Sequence, residues 1–205
     1  MRLTRAQARA RNREALIAAA VVEMAAAGYA AARLEDIAER AEVTTGAIYS
    51  IFGSKSALLA AVLEQLNAEF FDATADLENP ELSLTQVLSG IGVAWFRAAT
   101  APLAREQFAF ETELLATALR DPSVSALLDE TTGEAGHARL ARLLTDRATT
   151  DDPAAPRTTD DQAQHLALVI TGAVTGLAQQ VQLVPDTLTE DDFVRSTLAL
   201  GSLLQ

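Results

Sequence analysis

Apolar positions along the chain recur at three- and four-residue intervals almost throughout, and no stretch alternates with the two-residue period of a strand. The spacing predicts an all-α fold of about nine helices. Over 6–27 the residues Ile17, Ala20, Val21 and Met24 share one helical face, and Gly28 is placed to end that helix in the left-handed conformation. Leu34, Ile37, Ala38 and Ala41 mark a second, short helix beginning near Arg33. Glu42-Val43-Thr44 interrupts it, and residues 45–52 supply a third. In that segment Val43, Ile48 and Ile51 are predicted to face inward, and Thr44, Thr45, Tyr49 and Ser50 outward. Ser54 is placed to cap a fourth helix, which continues through Leu58, Leu59, Val62, Leu63 and Leu66 towards Phe70 and Phe71.

Prolines punctuate the rest, and proline starts or ends helices rather than sitting inside them. Helices are predicted at 83–99, 102–119, 122–147, 159–184 and 189–204, with a mobile loop at 151–158. The helix at 159–184 is apolar on most of its circumference, so it is expected to be buried on more than one side. Its run from 165 to 184 still carries Gln179, Gln180 and Gln182. A buried helix of a water-soluble protein fits that better than a membrane span.

Two short helices joined by a tight turn are the plan of a helix-turn-helix, whose second helix enters the DNA major groove. The flanks sharpen this reading. The line runs from Ile17-Ala18-Ala19-Ala20 through Gly28-Tyr29, Asp36-Ile37-Ala38, Ala41-Glu42-Val43 and Gly46-Ala47-Ile48-Tyr49. It ends with Phe52, Lys55 and Leu58-Leu59. About fifty residues in all resemble the N-terminal domain of TetR-family transcriptional regulators. The resemblance implies a DNA-binding domain over 1–55, its motif at about 33–52, and a helical effector-binding and dimerisation domain over 56–205. It implies a repressor that binds a near-palindromic double-stranded DNA operator as a homodimer and answers to an unidentified small-molecule effector.

The residues at the matching positions receive roles from the resemblance. Arg33, Thr44, Thr45, Gly46, Ala47, Tyr49, Ser50 and Lys55 are the DNA-binding candidates, with Tyr49 and Lys55 on the sugar-phosphate backbone. Threonine oxygens and the Thr and Ala methyl groups can meet base edges, whereas Arg, Asn and Gln are missing from this helix. Phe70, Trp95, Phe96, Phe108, Glu111 and Thr112 are the effector candidates, aromatics with two polar groups on the face of Phe108 and Leu115. Val169, Gly172, Gly176, Phe193 and Leu200 are the dimer candidates. Three positions depart from the family pattern. Met24 stands for the usual Phe. Arg33 stands for a Thr or Ser that would cap the second helix, and Glu35 and Asp36 compensate in part through the helix dipole. Glu42 stands for the usual Gly, and must either take a positive φ or alter the turn.

Charge separates the two ends. The 205-residue chain carries a net charge of -12, but residues 1–60 hold eight basic and six acidic side chains, leaving +2 there and -14 beyond. Such asymmetry marks a nucleic-acid-binding segment on an acidic body. Residues 1–13 hold five arginines and no acid, an arm able to lie along phosphates or in a minor groove. With no cysteine, disulfides and thiolate metal sites are excluded. The two histidines stand in no metal-ligand or nucleophile spacing, so no metal, cofactor or catalytic residue is expected and the chain does not read as an enzyme. A cytoplasmic protein with no membrane partner follows by elimination. The alternative is a helical small-molecule-binding or scaffold protein that has lost DNA binding.

Overall fold

The computed structural model describes residues 4–129, 134–152 and 154–202. Among them are ten α-helices and no strand: α1 Arg5–Ala27, α2 Leu34–Arg40, α3 Thr45–Ile51, α4 Lys55–Asp72, α5 Leu84–Ala99, α6 Ala104–Ala118, α7 Pro122–Leu128, α8 Glu134–Leu144, α9 Asp160–Leu183 and α10 Glu190–Gly201. A short 3-10 helix, Ala75–Glu78, follows α4. Local chemistry sets the helix starts. Thr4 with Gln7, Ser83 with Gln86, Thr159 with Gln162 and Thr189 with Asp192 each form a capping box. In each, two backbone amides that the helix leaves without partners are satisfied reciprocally.

Three expectations change. The basic arm is not a separate tail from Thr4 onward, because its capping box starts α1 at Arg5. Arg2 lies outside the described residues. The single helix expected at 122–147 is instead α7 and α8, with residues 130–133 outside the described residues. The segment expected as a mobile loop closes a hairpin-like turn. Ala148 and Arg157 form an antiparallel bridge, and Thr149 N donates to Pro156 O at 2.9 Å. Pro153 and Leu203 are likewise outside the described residues.

The chain divides into two compact units, 4–67 with 105–129 and 68–104 with 134–202. In the first, the inner face of α1 (Leu16, Ile17, Ala20, Met24) packs with Ile37 and Ala38 of α2, Ile48 of α3 and Leu58, Leu59 and Val62 of α4. Phe110 and Leu114 of α6 and Val124 of α7 complete that core. Gly28 ends α1 with φ 80° and ψ 154°, a glycine-only conformation but not the left-handed helical one expected. A Cβ there would also lie 2.5 Å from the Glu113 carboxylate on α6.

In the second unit, Leu84, Val87, Leu88 and Ile91 of α5 pack with Leu140 and Leu144 of α8 and with Ala163, Leu166, Ala167, Ile170 and Val174 of α9. Helix α10 lies close on α5. A Cβ at Gly92 would stand 2.8 Å from the backbone Cα of Val194, and the buried Thr197 hydroxyl donates to Leu88 O at 2.8 Å. Gly92→Val should therefore lower stability by about 1–3 kcal/mol through overpacking against rigid backbone. The urea-unfolding midpoint checks it, and an unchanged midpoint would contradict the contact.

Helix α9 corrects one expectation. By length and composition it could cross a membrane, with mean hydropathy 1.4 over its most apolar window. Within one chain it is buried on one face only, not several. The opposite face exposes Asp161, Gln164, His165, Leu168, Gly172 and Gln179.

Candidate nucleic-acid interface

The site is built on the α2–turn–α3 segment. Helix α2 buries Ile37 and Ala38, and α3 buries Ile48 alone, so most of the short third helix faces outward. Glu23 of α1 accepts from Arg40 Nε at 2.6 Å and ties α2 down. The turn has Schellman geometry. Val43 N donates to Ala38 O at 3.0 Å and Glu42 N to Glu39 O at 3.0 Å, with Glu42 at φ 54°. Glu42 thus adopts the positive φ rather than altering the turn. Left-handed backbone costs a non-glycine residue about 1–2 kcal/mol, and glycine loses about 0.5–1 kcal/mol more chain entropy on folding. Glu42→Gly should therefore raise stability by about 0.5–1 kcal/mol. A lowered melting temperature would contradict the strain assigned here.

Arg33 occupies the N-cap of α2 without any side-chain cap bond, and Glu35 and Asp36 sit in the first turn, as expected. Its guanidinium is exposed and 3.7 Å from Glu35. Thr44 is the N-cap of α3. Thr44, Gly46, Tyr49 and Ser50 are exposed, while Thr45 and Ala47 are half-buried. Tyr49 is 57 % exposed, which for an aromatic ring marks a surface group and not a core one. Arg33, Thr44, Gly46, Tyr49 and Ser50 are the exposed candidates around α2 and α3.

Lys55 stands differently from the expectation of a lysine open to phosphate. Its Nζ donates to the carbonyls of Ala30 (3.1 Å) and Ala32 (2.6 Å) and lies 5.0 Å from the centroid of the Tyr29 ring. Partial burial pulls its pKa below the ordinary lysine value. Burial, and secondarily the charge of Asp121, pushes the Tyr29 hydroxyl up. Lys55 therefore clamps the corner between α1 and α2 against the start of α4. Ser54 caps that helix as expected, its Oγ accepting from Ala57 N at 3.0 Å.

Two residues that reach the end of α3 were not among the candidates. Arg9 Nη2 donates to Ser50 O at 3.1 Å, and the Arg13 guanidinium lies 5.8 Å from the Phe52 ring centroid. The signal was present as arginines at 5, 9 and 13, four apart and so on one side of a helix.

The effector candidates divide between the units. In the second, Phe70 and Trp95 rings lie 5.0 Å apart, and Trp95 Nε1 is buried without a hydrogen-bond partner. Phe96 turns to Phe193 instead, at 5.6 Å. In the first unit Phe108 is half-buried, while Glu111 and Thr112 are exposed on α6. Glu111 is open to water yet crowded by protein atoms, and that crowding raises its carboxyl pKa. A mixed-polarity cleft of about 430 Å³ opens elsewhere in the second unit, lined by Ser83, Gln86, Thr150, Asp151 and Arg157, and none of the candidates borders it. Among the dimer candidates, Phe193 is corrected. It is fully enclosed in its own chain against α5, so it has no surface to offer a partner. Leu200 is half-buried against the second core, and Val169 is half-buried. A Cβ at Gly172 or Gly176 would meet nothing within 4 Å.

A three-helix head with an outward third helix defines a helix-turn-helix protein. Comparison with known proteins carries this further. The model of bacterial regulatory proteins of the tetR family matches residues 16–62. The HTH-type transcriptional repressor NicS of Pseudomonas putida is 36% identical over 91 residues, 42% of this chain and 43% of NicS, so the match spans less than half of that relative. Among solved structures, a protein assigned to the TetR-family transcriptional regulators in Rhodococcus sp. superposes with a TM-score of 0.71 at 20% identity, over 95% of this chain and 98% of that one. The multidrug binding protein EbrR, in complex with imidazole, superposes with a TM-score of 0.60 at 22% identity, over 92% of this chain and 93% of its own. The match to the tetR family model lies over the helix-turn-helix segment, and the all-helical fold is the one those solved structures share.

Proposed function

We propose that this chain is a TetR-family regulator, a ligand-responsive repressor that binds a near-palindromic double-stranded DNA operator as a homodimer in the cytoplasm. The observation that carries the reading is α3 itself. One buried residue anchors it, and Thr44 at its N-cap, Gly46 and Tyr49 are left exposed. The N-terminal end of such a helix is the part that meets base edges. The functional division is 1–55 for DNA and 56–205 for effector and dimer. The likeness to a transcriptional repressor over 91 residues supports repression rather than activation.

A second copy is proposed to cover the outer face of α9, where Leu168 is 59 % exposed and Gly172 and Gly176 let another helix come close. Two heads on one face of a duplex must then stand about 34–36 Å apart, or a multiple of that. An effector acts by preferring chains whose heads do not match this spacing. Phe70 and Trp95 are proposed to hold it, the unpartnered indole N–H calling for an acceptor atom on the ligand. EbrR, of similar fold, is a multidrug binding protein.

Selection of bound duplexes from a random pool by the purified chain tests the reading. Enrichment of one sequence with twofold symmetry is expected. A chain that enriches nothing, yet binds small molecules, would be the helical ligand-binding protein kept as the alternative.

A further inference from the structure

Arg5, Arg9 and Arg13 form one stripe along the first turns of α1. Two of them reach the far end of α3. Arg9 donates to Ser50 O, the carbonyl of the next-to-last residue of that helix, and Arg13 lies over Phe52, its C-cap. The last carbonyls of any helix need partners from outside it. Here Ile48 O and Tyr49 O accept from the amides of Phe52 and Gly53, while Ser50 O accepts from Arg9. A guanidinium at this end also meets the negative pole of the helix dipole.

The two ends of α3 are therefore held by different means. The N-terminal end follows the α2 turn, where Val43 N donates to Ala38 O. Buried Ile48 anchors the middle, and the C-terminal end is held by the arginines of α1. The helix has seven residues and is only about 10 Å long. With its one buried residue, Ile48, at the middle, a shift of about 1 Å at the C-terminal end tips the helix about that point and carries Thr44 and Thr45 about 1 Å the other way, enough to weaken a hydrogen bond to a base.

We propose that Arg9 is a positioning residue for sequence reading: it pins the C-terminal end of α3 to α1 and so sets the angle at which α3 presents Thr44 and Thr45. The role rests on the DNA-binding function proposed above. Arg9 itself is exposed. Its hydrogen bond to Ser50 is formed in water and adds little to global stability. Its removal is therefore felt in discrimination between duplexes before it is felt in folding.

The test compares wild type, Arg9→Met and Arg9→Lys on the duplex selected by the wild-type chain and on a scrambled duplex of the same length, over a range of salt. Arg9→Met should lose about threefold on the selected duplex, within what one weak, solvent-exposed hydrogen bond can supply. It should lose little on the scrambled one, with an unchanged unfolding midpoint. Arg9→Lys keeps a donor for the carbonyl and should recover most of the discrimination. Equal losses on both duplexes, with a salt slope smaller by about one, would make Arg9 a phosphate contact and overturn the role. So would undiminished discrimination by Arg9→Met. A wild-type chain that tells no duplex from another would remove the reading function and this role together.

Discussion

Replacing Arg147 by methionine should cost about 3–5 kcal/mol of stability, the scale of stripping one partner from a buried charged network. Arg147 is 5% exposed and sits just past the end of α8. Its guanidinium donates to backbone carbonyls alone: Leu143 O at 2.8 Å, Leu77 O at 2.9 Å, Leu82 O at 3.4 Å and Asn79 O. Its own amide and carbonyl bond to Thr158, which is also buried. One side chain thus holds the 77–82 segment, the end of α8 and the start of the approach to α9. Methionine fills similar space but leaves those carbonyls unpaired, at about 1–3 kcal/mol for each one that stays dry. Arg147→Lys keeps the charge with fewer directions of donation, so it should recover only part. Urea unfolding followed by circular dichroism checks the series. A loss below about 1 kcal/mol for the methionine variant would contradict the assigned role.

The second large effect is on DNA. Tyr49→Ala combined with Lys55→Ala should abolish operator binding at concentrations where the wild type is saturated, with a folded dimer retained. Tyr49 is the exposed aromatic of α3, and its loss would remove the contact proposed for it to the sugar-phosphate backbone. Lys55 acts at the corner, where its loss frees the carbonyls of Ala30 and Ala32 and loosens the link between α4 and the start of α2. At about 1 kcal/mol for each change, felt in two half-sites, the double variant loses about 4 kcal/mol, or roughly a thousandfold in affinity. Circular dichroism and sedimentation verify fold and assembly, and a gel shift reads the loss. Affinity within about tenfold of wild type would show that the recognition surface lies elsewhere.

Local pattern carried the head of this protein a long way. The three- and four-residue spacing of Ile17, Ala20 and Met24 and of Ile37 and Ala38 identified buried faces correctly, because helical period and burial are both properties of neighbours in sequence. At Glu42 the resemblance left a positive φ and an altered turn both open, and the backbone takes the first. Pairing between distant segments was not legible. Phe110 and Leu114 are apolar, but nothing local says that they belong to the core around Leu16 and Ile48. Phe193 was likewise recognised as apolar, yet its place inside its own chain depends on Gly92 admitting the α10 backbone. The contacts of Lys55 and Arg147 were illegible for another reason. Their partners are main-chain carbonyls, which every residue possesses, so no pattern of side chains announces them.

The measurement closest to the central claim is a salt titration of duplex binding by the intact chain. The protein is anionic as a whole, and only the head, with a surplus of two positive charges over 1–60, can neutralise phosphates. Counterion release then requires that affinity fall linearly on logarithmic axes, by about a hundredfold or more between roughly 50 and 200 mM salt. Binding that is absent even at the lowest salt, or that ignores salt altogether, would contradict a basic head gripping DNA.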